Sequence, residues 1–400
     1  MSSAPDEALT HDEVEARAAF AGRFRTWLDE HAPAKGGPGD FSTAHVVSAS
    51  TRDEFEARER AAFAVTKQWQ RTLFDAGWAG RSWPEEYGGH GAPQWQSDVV
   101  ATEQVGYGVS TKMLAIALEM VPPVLLEFGT HEQRLQHLPR IVRGDEAWCQ
   151  LLSEPDAGSD LTNVQTAAAR VSGGWSVSGQ KVWTSGATSA DFALLLARTD
   201  RNQPGRAGVS FFALEMRQPG VDVRPLRQMS GGYHFNEVFL DEAFVPEEGL
   251  LGDLGGGFAV LRTMLASERA AIGGGTSARS ALQLRRLAVE MGRDGDAAVR
   301  QELARAHTRE TVLDLVQARV AEVPAGGSIT KLLYSEHGRL SGNAALAILG
   351  AHGTDMKDPQ AEPWLERFLF APGLRLGGGT DEIQRNAIAE RGLGLPRDRG

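Results

Sequence analysis

The spacing of apolar residues changes twice along the chain, which predicts three segments. Between residues 12 and 147, leucine, isoleucine and valine recur at the three- and four-residue intervals of an α-helix. Within this segment Thr130 is expected to cap the helix that follows it. Residues 32–44 interrupt the pattern with Gly, Pro and Ser, so we predict a loop there.

The middle segment, residues 148–251, has the two-residue alternation that is typical of β-strands. Short runs such as DFALLLART and GVSFFALEM are separated by Gly, Pro, Asp and Asn. No helical stretch alternates with these runs, so the βαβ pattern of a Rossmann domain is missing. We therefore predict an antiparallel β region of about a hundred residues.

From residue 255 to the end the helical period returns, and helices are predicted over 257–290, 297–322, 329–350 and 380–391. The order of helices, sheet and helices predicts an α+β protein of several domains. The domains are a helical one over 1–147 with a flexible start, a β domain over 148–252, and a helical bundle over 253–400.

Composition argues against several classes of function. The net charge of −11 disfavours a nucleic-acid partner, which would need an excess of Lys and Arg on one face. The single cysteine, Cys149, cannot form a disulfide within the chain. The most apolar stretch, 113–128, is too short and too interrupted to cross a membrane, and no signal-peptide pattern opens the chain. We therefore expect a cytoplasmic protein.

Several common site signatures are absent from the sequence. It contains no HExxH, no CxxC, no Walker loop, no G-x-S-x-G elbow and no strand-linked GxGxxG. Metal, serine-nucleophile and nicotinamide sites are therefore not predicted.

Two segments of the middle region carry candidate chemistry. In WCQLLSEPDAGSD (148–160), a strand enters a turn of small, hydroxyl and carboxylate residues, where backbone N–H groups could approach a ligand closely. In KVWTSGA (181–187), Trp183 and the hydroxyls after it could flank a flat aromatic cofactor. Each has an ordinary structural alternative, namely a capped turn and a buried core tryptophan.

The helix predicted to begin at Gly257 carries a carboxylate among apolar residues. On a helical wheel Glu268 shares a stripe with Leu261, Met264 and Leu265. An unpaired buried charge is costly. Glu268 is therefore either a carboxyl of raised pKa, suited to proton abstraction, or the partner of a neighbouring arginine at the edge of the stripe.

Together these segments resemble the acyl-CoA dehydrogenase family, from about Gln68 to Arg397. The likeness includes LSEPDAGSD, KVWTSGA, FNEVFLDEAFVP, a GGGF that opens a helix, and the terminal GGGTDEIQRNAIAERGLGLPR. Each motif alone is weak to moderate evidence, but their order matches the family. The resemblance implies an N-terminal helical domain, a middle antiparallel β-barrel-like domain and a C-terminal four-helix bundle. It also implies FAD at the subunit interfaces of an oligomer, usually a tetramer.

The resemblance also implies a cofactor site and a substrate site. Family positions that contact the flavin are matched by Gln150, Leu152, Ser153, Gly158, Ser159, Trp183, Ser185, Gly379, Thr380 and Glu382. Positions near the substrate are matched by Ser159, Leu261, Leu265 and Arg269.

The family places its catalytic base in one of two positions. Many members carry it in a Tyr-Glu-Gly-Thr run, which here reads Gly-Gly-Gly-Thr (377–380), so Gly378 can offer only its backbone N–H to the enolate oxygen. A minority, including isovaleryl-CoA and long-chain types, carry the base as Glu-Arg on the helix that opens the C-terminal domain. That pair matches Glu268 and Arg269, in agreement with the helical wheel.

The implied reaction is the FAD-dependent conversion of an acyl-CoA thioester to a trans-2-enoyl-CoA, as in fatty-acid β-oxidation. Glu268 takes the α proton, flavin N5 takes the β hydride, and an electron-transfer flavoprotein accepts the electrons. The acyl chain stays open. Two alternatives also stay open: a non-catalytic or shared-site subunit of a heteromeric enzyme, and an oxygen-using flavoenzyme of the same fold.

Two family motifs at the adenosine end of FAD are missing. The Arg-x-x-Phe-Gly run has no clean match between Arg285 and Arg309, and Gln-x-x-Gly-Gly appears as AILGA at 347–351. These departures fit a heterotetramer of two related chains that builds fewer FAD sites. They equally fit a divergent homotetramer or homodimer.

Overall fold

The computed structural model describes residues 10–44, 51–273, 280–320, 322–356 and 358–397, and the side chains of 269–273 lie outside that description. These residues fall into two compact units. The first contains residues up to Leu152 together with Thr166–Pro225 and Phe235–Gly257. The second contains Ser153–Gln165, Leu226–His234 and the chain from Phe258 on.

The first unit begins with helices whose ends follow capping residues in the sequence. They are α1 (His11–His31), α2 (Arg52–Asp75), α3 (Gln94–Gln104), α4 (Val121–Phe128) and α5 (His131–Arg143). As predicted, Thr130 caps α5: its side chain accepts from the Gln133 N–H, and the Gln133 side chain accepts from the Thr130 N–H. Residues 32–44 form turns and bends, which confirms the predicted loop, whereas the start expected to be flexible lies outside the described residues.

The same unit contains an eight-stranded sheet in the order β6-β7-β3-β2-β4-β5-β8, with β1 paired to β4. The strands are β1 (Trp148–Leu151), β2 (Ala167–Val171), β3 (Gly174–Ser185), β4 (Phe192–Arg198), β5 (Val209–Glu215), β6 (Val221–Leu226), β7 (Phe235–Pro246) and β8 (Leu250–Leu251). The predicted antiparallel pairing is wrong at two places. β1 runs parallel to β4, and β2 meets β4 in a parallel bridge, because β3 runs antiparallel to β2 and the chain reverses direction once more before β4.

Several apolar cores stabilise the described part of the first unit, and two of them are large. One lies in the sheet, where Trp175, Phe212 and Leu195 are buried with their neighbours. The other joins the N-terminal helices through aromatic residues such as Phe24 and Trp69. The sheet core holds β1, β3 and β4 rigidly, which fixes the ends of strands where the candidate site residues lie.

The second unit contains the remaining helices. They are α6 (Gly257–Gly273), α7 (Ser280–Glu290), α8 (Ala297–Ala318), α9 (Gly326–Leu349), α10 (Glu362–Leu376) and α11 (Asp381–Ala387). α9 packs against α7, α8 and α10, so these four form the bundle that the resemblance implies. The predicted order of helices, sheet and helices is confirmed. The domain boundaries at 147/148 and 252/253 stay a prediction.

Candidate active site

The end of β1 is held by two side chains of β3. Lys181 is fully buried, and its Nζ donates to the Leu152 carbonyl at 3.0 Å. The Thr184 hydroxyl donates to the Gln150 carbonyl at 3.2 Å. Both donors flank a point where the register of β3 against β7 shifts. The predicted residues Gln150 and Leu152 are therefore fixed beside the irregular part of β3.

Trp183 lies at that irregularity and faces outward. Its φ of 64° is in the left-handed region, which costs a non-glycine residue about 1 kcal/mol or more. Its side chain is 60% exposed and meets Phe235 only edge-on, with ring centroids 5.9 Å apart. The buried-core alternative for Trp183 is therefore wrong. An exposed indole face next to the exposed Ser185 fits a flat ring such as that of a flavin.

The predicted turn after β1 lies in the second unit and is stabilised by its carboxylates. Glu154 is 8% exposed and its carboxylate accepts from the Gln165 N–H at 2.6 Å. Asp160 accepts from the Thr162 N–H at 3.1 Å and from the Asn163 amide at 2.6 Å. For these two acids the structural alternative holds, because they shape the loop.

The same loop presents small residues on its surface. Gly158 and Ser159 are exposed, and Ser153 is half-buried. A Cβ built on Gly158 would meet nothing within 4 Å, so this stretch of backbone is open to a ligand. The surface of the loop, and not its acids, is thus the part that could contact a cofactor.

Helix α6 shows the predicted apolar stripe. Met264 is 0% exposed and Leu261 3% exposed, whereas Leu265 and Glu268 are half-buried and Arg262 is exposed. The Glu268 side chain therefore lies at the margin of the stripe and is partly shielded from water. The side chain of Arg269, predicted to contact substrate, lies outside the described residues.

The predicted C-terminal site is a glycine turn between α10 and α11. Gly378 and Gly379 have φ values of 66° and 87°, in the region that favours glycine. The Thr380 hydroxyl accepts from the Ile383 N–H at 3.2 Å and so caps α11. Its O–H hydrogen stays available to donate to a ligand. Glu382 is exposed, 3.7 Å from Arg385.

The C-terminal end of α9, where the family's Gln-x-x-Gly-Gly run would fall, is capped by an arginine. Arg293 Nη1 donates to the carbonyls of Ala347 and Ile348 at 2.5 and 3.1 Å, and Nη2 donates to Asp296 at 2.8 Å. Gly350 follows with a φ of 58°. Arg293 could not be predicted from the sequence, because the contact joins residues separated by all of α8 and most of α9.

The predicted residues thus occupy four places. The first unit brings Gln150, Leu152, Trp183 and Ser185 together. In the second unit, Ser153, Gly158 and Ser159 share a loop, Leu261, Leu265 and Glu268 share α6, and Gly378 to Glu382 share the α10–α11 turn. Among the described residues no group of three or more His, Cys, Asp or Glu could hold a metal ion. Within the same ranges no helix is long and apolar enough to span a membrane.

Comparison with known proteins finds matches along most of the chain. Models of the acyl-CoA dehydrogenase N-terminal, middle and C-terminal domains match residues 41–145, 149–243 and 255–393. Acyl-CoA dehydrogenase IpdE1 of Mycobacterium tuberculosis is 37% identical over 350 residues, which cover 85% of this chain and 91% of that protein.

Two solved structures are also similar. The Tcur3481-Tcur3483 steroid ACAD is 26% identical with a TM-score of 0.76, over 98% of this chain and 100% of that one. The ChsE4-ChsE5 complex from Mycobacterium tuberculosis has a TM-score of 0.74 over 98% of this chain and 100% of that one. Its identity is 24%, so this second likeness concerns the fold.

Proposed function

The chain belongs to the acyl-CoA dehydrogenase family, and from that premise we propose that Glu268 is the base that removes the α proton of its acyl-CoA substrate. Membership makes the protein a flavin-dependent oxidoreductase that uses FAD. The identity of the base, the acyl group and the assembly are proposals.

The observation that carries the proposal is the position of Glu268 on α6. Its carboxyl lies at the edge of a stripe that includes the buried Met264 and Leu261. The α C–H of a thioester is a weak acid, and a carboxylate partly removed from water is a stronger base than a hydrated one. Gly378, where most of the family has its base, has no side chain to do this work.

The remaining site residues are proposed to hold FAD and the substrate. When bound, FAD supplies the acceptor for the β hydride at its N5 atom. We assign its contacts to Gln150, Leu152, Ser153, Gly158, Ser159, Trp183, Ser185, Gly379, Thr380 and Glu382. We assign contacts with the substrate to Ser159, Leu261, Leu265 and Arg269. The Gly378 N–H donates to the enolate oxygen that develops as the α proton leaves.

A bulky acyl group is the substrate that the chain favours. Residues 377–379 are three glycines, where the common family run has Tyr, Glu and Gly, so two large side chains are missing from this turn. Their absence leaves room for a wide acyl group. A related solved protein is a steroid ACAD, which supports the same choice. The product is the trans-2-enoyl-CoA of one β-oxidation step.

Assembly with a second, related chain is the arrangement that we favour over a homotetramer. The end of α9 that would carry the family's adenosine-binding run is instead capped by Arg293. The related steroid ACAD is named as a pair, Tcur3481-Tcur3483. An electron-transfer flavoprotein is the proposed electron acceptor.

The test is anaerobic bleaching of the flavin by a panel of acyl-CoAs that runs from short chains to steroid-sized side chains. We expect the wild-type protein to bleach with bulky members. Glu268→Gln should retain FAD and bleach at least about 100-fold more slowly. The control is Glu290→Gln, an exposed Glu on α7, which should bleach like the wild type.

The outcome also separates the alternatives. Normal bleaching by Glu268→Gln would exclude it as the base. Flavin that appears only on co-expression with a related chain would favour the heteromer. Fast reoxidation of the reduced protein by air, in place of transfer to an electron-transfer flavoprotein, would favour the oxygen-using flavoenzyme.

A further inference from the structure

The glycine turn between α10 and α11 needs an external constraint to hold one shape. It consists of Gly377, Gly378, Gly379 and Thr380, and its three glycines have no side chains with which to restrict φ and ψ. At its start the Gly377 N–H donates to the Gly373 carbonyl at 2.9 Å, in the last turn of α10. Among the described residues, the N–H of Gly378 has no acceptor.

A buried glutamine supplies that constraint. Gln384 is 2% exposed, and its Nε2 donates to the Gly378 carbonyl at 2.8 Å and to the Gly379 carbonyl at 3.3 Å. A planar trans peptide points its N–H opposite to its carbonyl, so these bonds fix the planes of the two peptides after Gly378. The Gly377–Gly378 peptide is thus bracketed between two anchored neighbours, and its N–H is left free to donate.

Both ends of the turn are fixed to α9. Lys331 and Asp381 are each 1% exposed, and Lys331 Nζ donates to Asp381 Oδ1 at 3.0 Å and to the Arg375 carbonyl at 3.2 Å. Ser335 Oγ donates to Asp381 Oδ1 at 2.8 Å, and Arg375 Nε donates to Asp381 Oδ2 at 2.7 Å. This network holds the helices in place, whereas Gln384 acts on the carbonyls of the glycines themselves.

We propose that Gln384 is a positioning residue, which orients the Gly378–Gly379 turn so that the Gly378 N–H is preorganised to donate to the enolate oxygen. The inference rests on the proposed function for the role of that N–H. A donor contributes to an oxyanion site only when its direction is fixed before the reaction, since reorientation during the reaction would cost free energy. A turn of three glycines cannot supply that rigidity alone.

The test replaces Gln384 by Met, which is similar in length but has no N–H donor. The matched control is Gln133→Met in the first unit. Gln133 is 4% exposed, and its Nε2 likewise donates to two carbonyls, those of Glu248 at 2.6 Å and Leu250 at 2.8 Å. Both variants lose a buried amide with two bonds to carbonyls. Gln133→Met also loses the bond that its Oε1 accepts from the Thr130 N–H at 2.7 Å, so it should lose at least as much thermal stability as Gln384→Met.

Two measurements on the full chain, with its partner if it has one, test the positioning role of Gln384. Gln384→Met should lower the NMR order parameters of the backbone N–H groups of residues 378–380 from the rigid range near about 0.85 to below about 0.6. It should also lower kcat at least about tenfold with KM within about threefold of the wild-type value. Gln133→Met should leave both quantities near their wild-type values.

Wild-type order parameters of the turn in Gln384→Met would overturn the constraint. Lower order parameters with unchanged kcat would overturn the positioning role. The relaxation measurement needs no substrate, so it stands even if the wild-type protein fails to oxidise any acyl-CoA. That failure would overturn the proposed function and, with it, the role of the Gly378 N–H.

Discussion

Trp183 combines a left-handed backbone with an exposed indole, and both features cost free energy. Strain of this kind persists where a function requires it. The shift in register between Lys181 and Thr184 creates it, and the buried Lys181 and Thr184 side chains hold it in place. We take Trp183 to be exposed in order to contact the flavin.

Replacing Trp183 by Gly tests this at the scale of one residue. Relief of the left-handed strain should offset the loss of the Phe235 contact, so the free energy of unfolding of the flavin-free protein should change by less than about 1 kcal/mol. The dissociation constant of FAD should rise at least about tenfold. Calorimetry of the flavin-free protein and flavin titration measure the two quantities.

The control lies in the same strand. Trp175 is 3% exposed in the sheet core, so Trp175→Gly should cost about 3–5 kcal/mol. Wild-type affinity of Trp183→Gly for FAD would remove Trp183 from the cofactor site.

Single residues could be predicted from the sequence where a local pattern carries the signal. The position of Glu268 follows from the spacing of apolar residues on α6, and the cap at Thr130 follows from its neighbours. Lys331, Gln384 and Arg293 could not be predicted, because their partners are distant in the sequence and a lone Lys, Gln or Arg in a helix usually faces solvent.

At the scale of elements, the buried pair of Lys331 and Asp381 joins α9 to α11. Removing Lys331 leaves the buried Asp381 carboxylate with Arg375 and Ser335 as partners, so Lys331→Met should lower the free energy of unfolding by about 1–3 kcal/mol. The double variant Lys331→Met/Asp381→Asn should cost less than the two single changes added together. Urea unfolding measures the free energy of unfolding of each variant.

The comparison variant is Arg339→Met, which breaks the exposed pair with Glu336 and should cost less than about 1 kcal/mol. Strict additivity of the two changes at Lys331 and Asp381 would contradict a coupled pair.

The same pair predicts a dependence on pH. Burial alone would raise the pKa of Asp381, but hydrogen bonds from Arg375, Ser335 and Lys331 outweigh it and hold that pKa below its ordinary value. A lowered carboxyl pKa contributes stability above its unfolded value of about 4, and that stability is lost as the pH falls further. The wild-type protein should therefore lose stability more steeply below pH ~4 than the double variant. Parallel acid profiles from urea unfolding would contradict this.

Elements were predictable where composition agrees with the fold and were missed where it does not. β2 reads AAARV, and three alanines favour a helix, yet its place beside β3 makes it a strand. α10 is missing from the predicted helices, and Pro372 inside it disfavours a helix, although packing against α9 stabilises it. Tertiary packing determines the secondary structure of both segments.

At the scale of the whole molecule, the bundle exposes apolar side chains that a lone chain would not be expected to leave in water. Leu282 and Val289 are two turns apart on α7 and are 52% and 55% exposed, and Leu315 on α8 is 63% exposed. We propose that another chain covers these side chains in the assembly. We expect the double variant Leu282→Glu/Leu315→Glu to shift the mass measured by light scattering towards the monomer.

The control is Val171→Glu, which changes an apolar residue that is 41% exposed in the sheet of the first unit. It should leave the mass unchanged. An unchanged mass for the double variant would place the interface elsewhere.

The central claim is that Glu268 acts as a base, and exchange of the α hydrogen tests it most directly. The oxidised protein is incubated in D2O with an acyl-CoA that has no hydrogen on its β carbon, so that no hydride can leave and only proton transfer is observed. Mass spectrometry then follows deuterium at the α carbon. The account predicts steady incorporation by the wild-type protein and incorporation at least about 100-fold slower by flavin-loaded Glu268→Gln. Equal rates in the two proteins would contradict it.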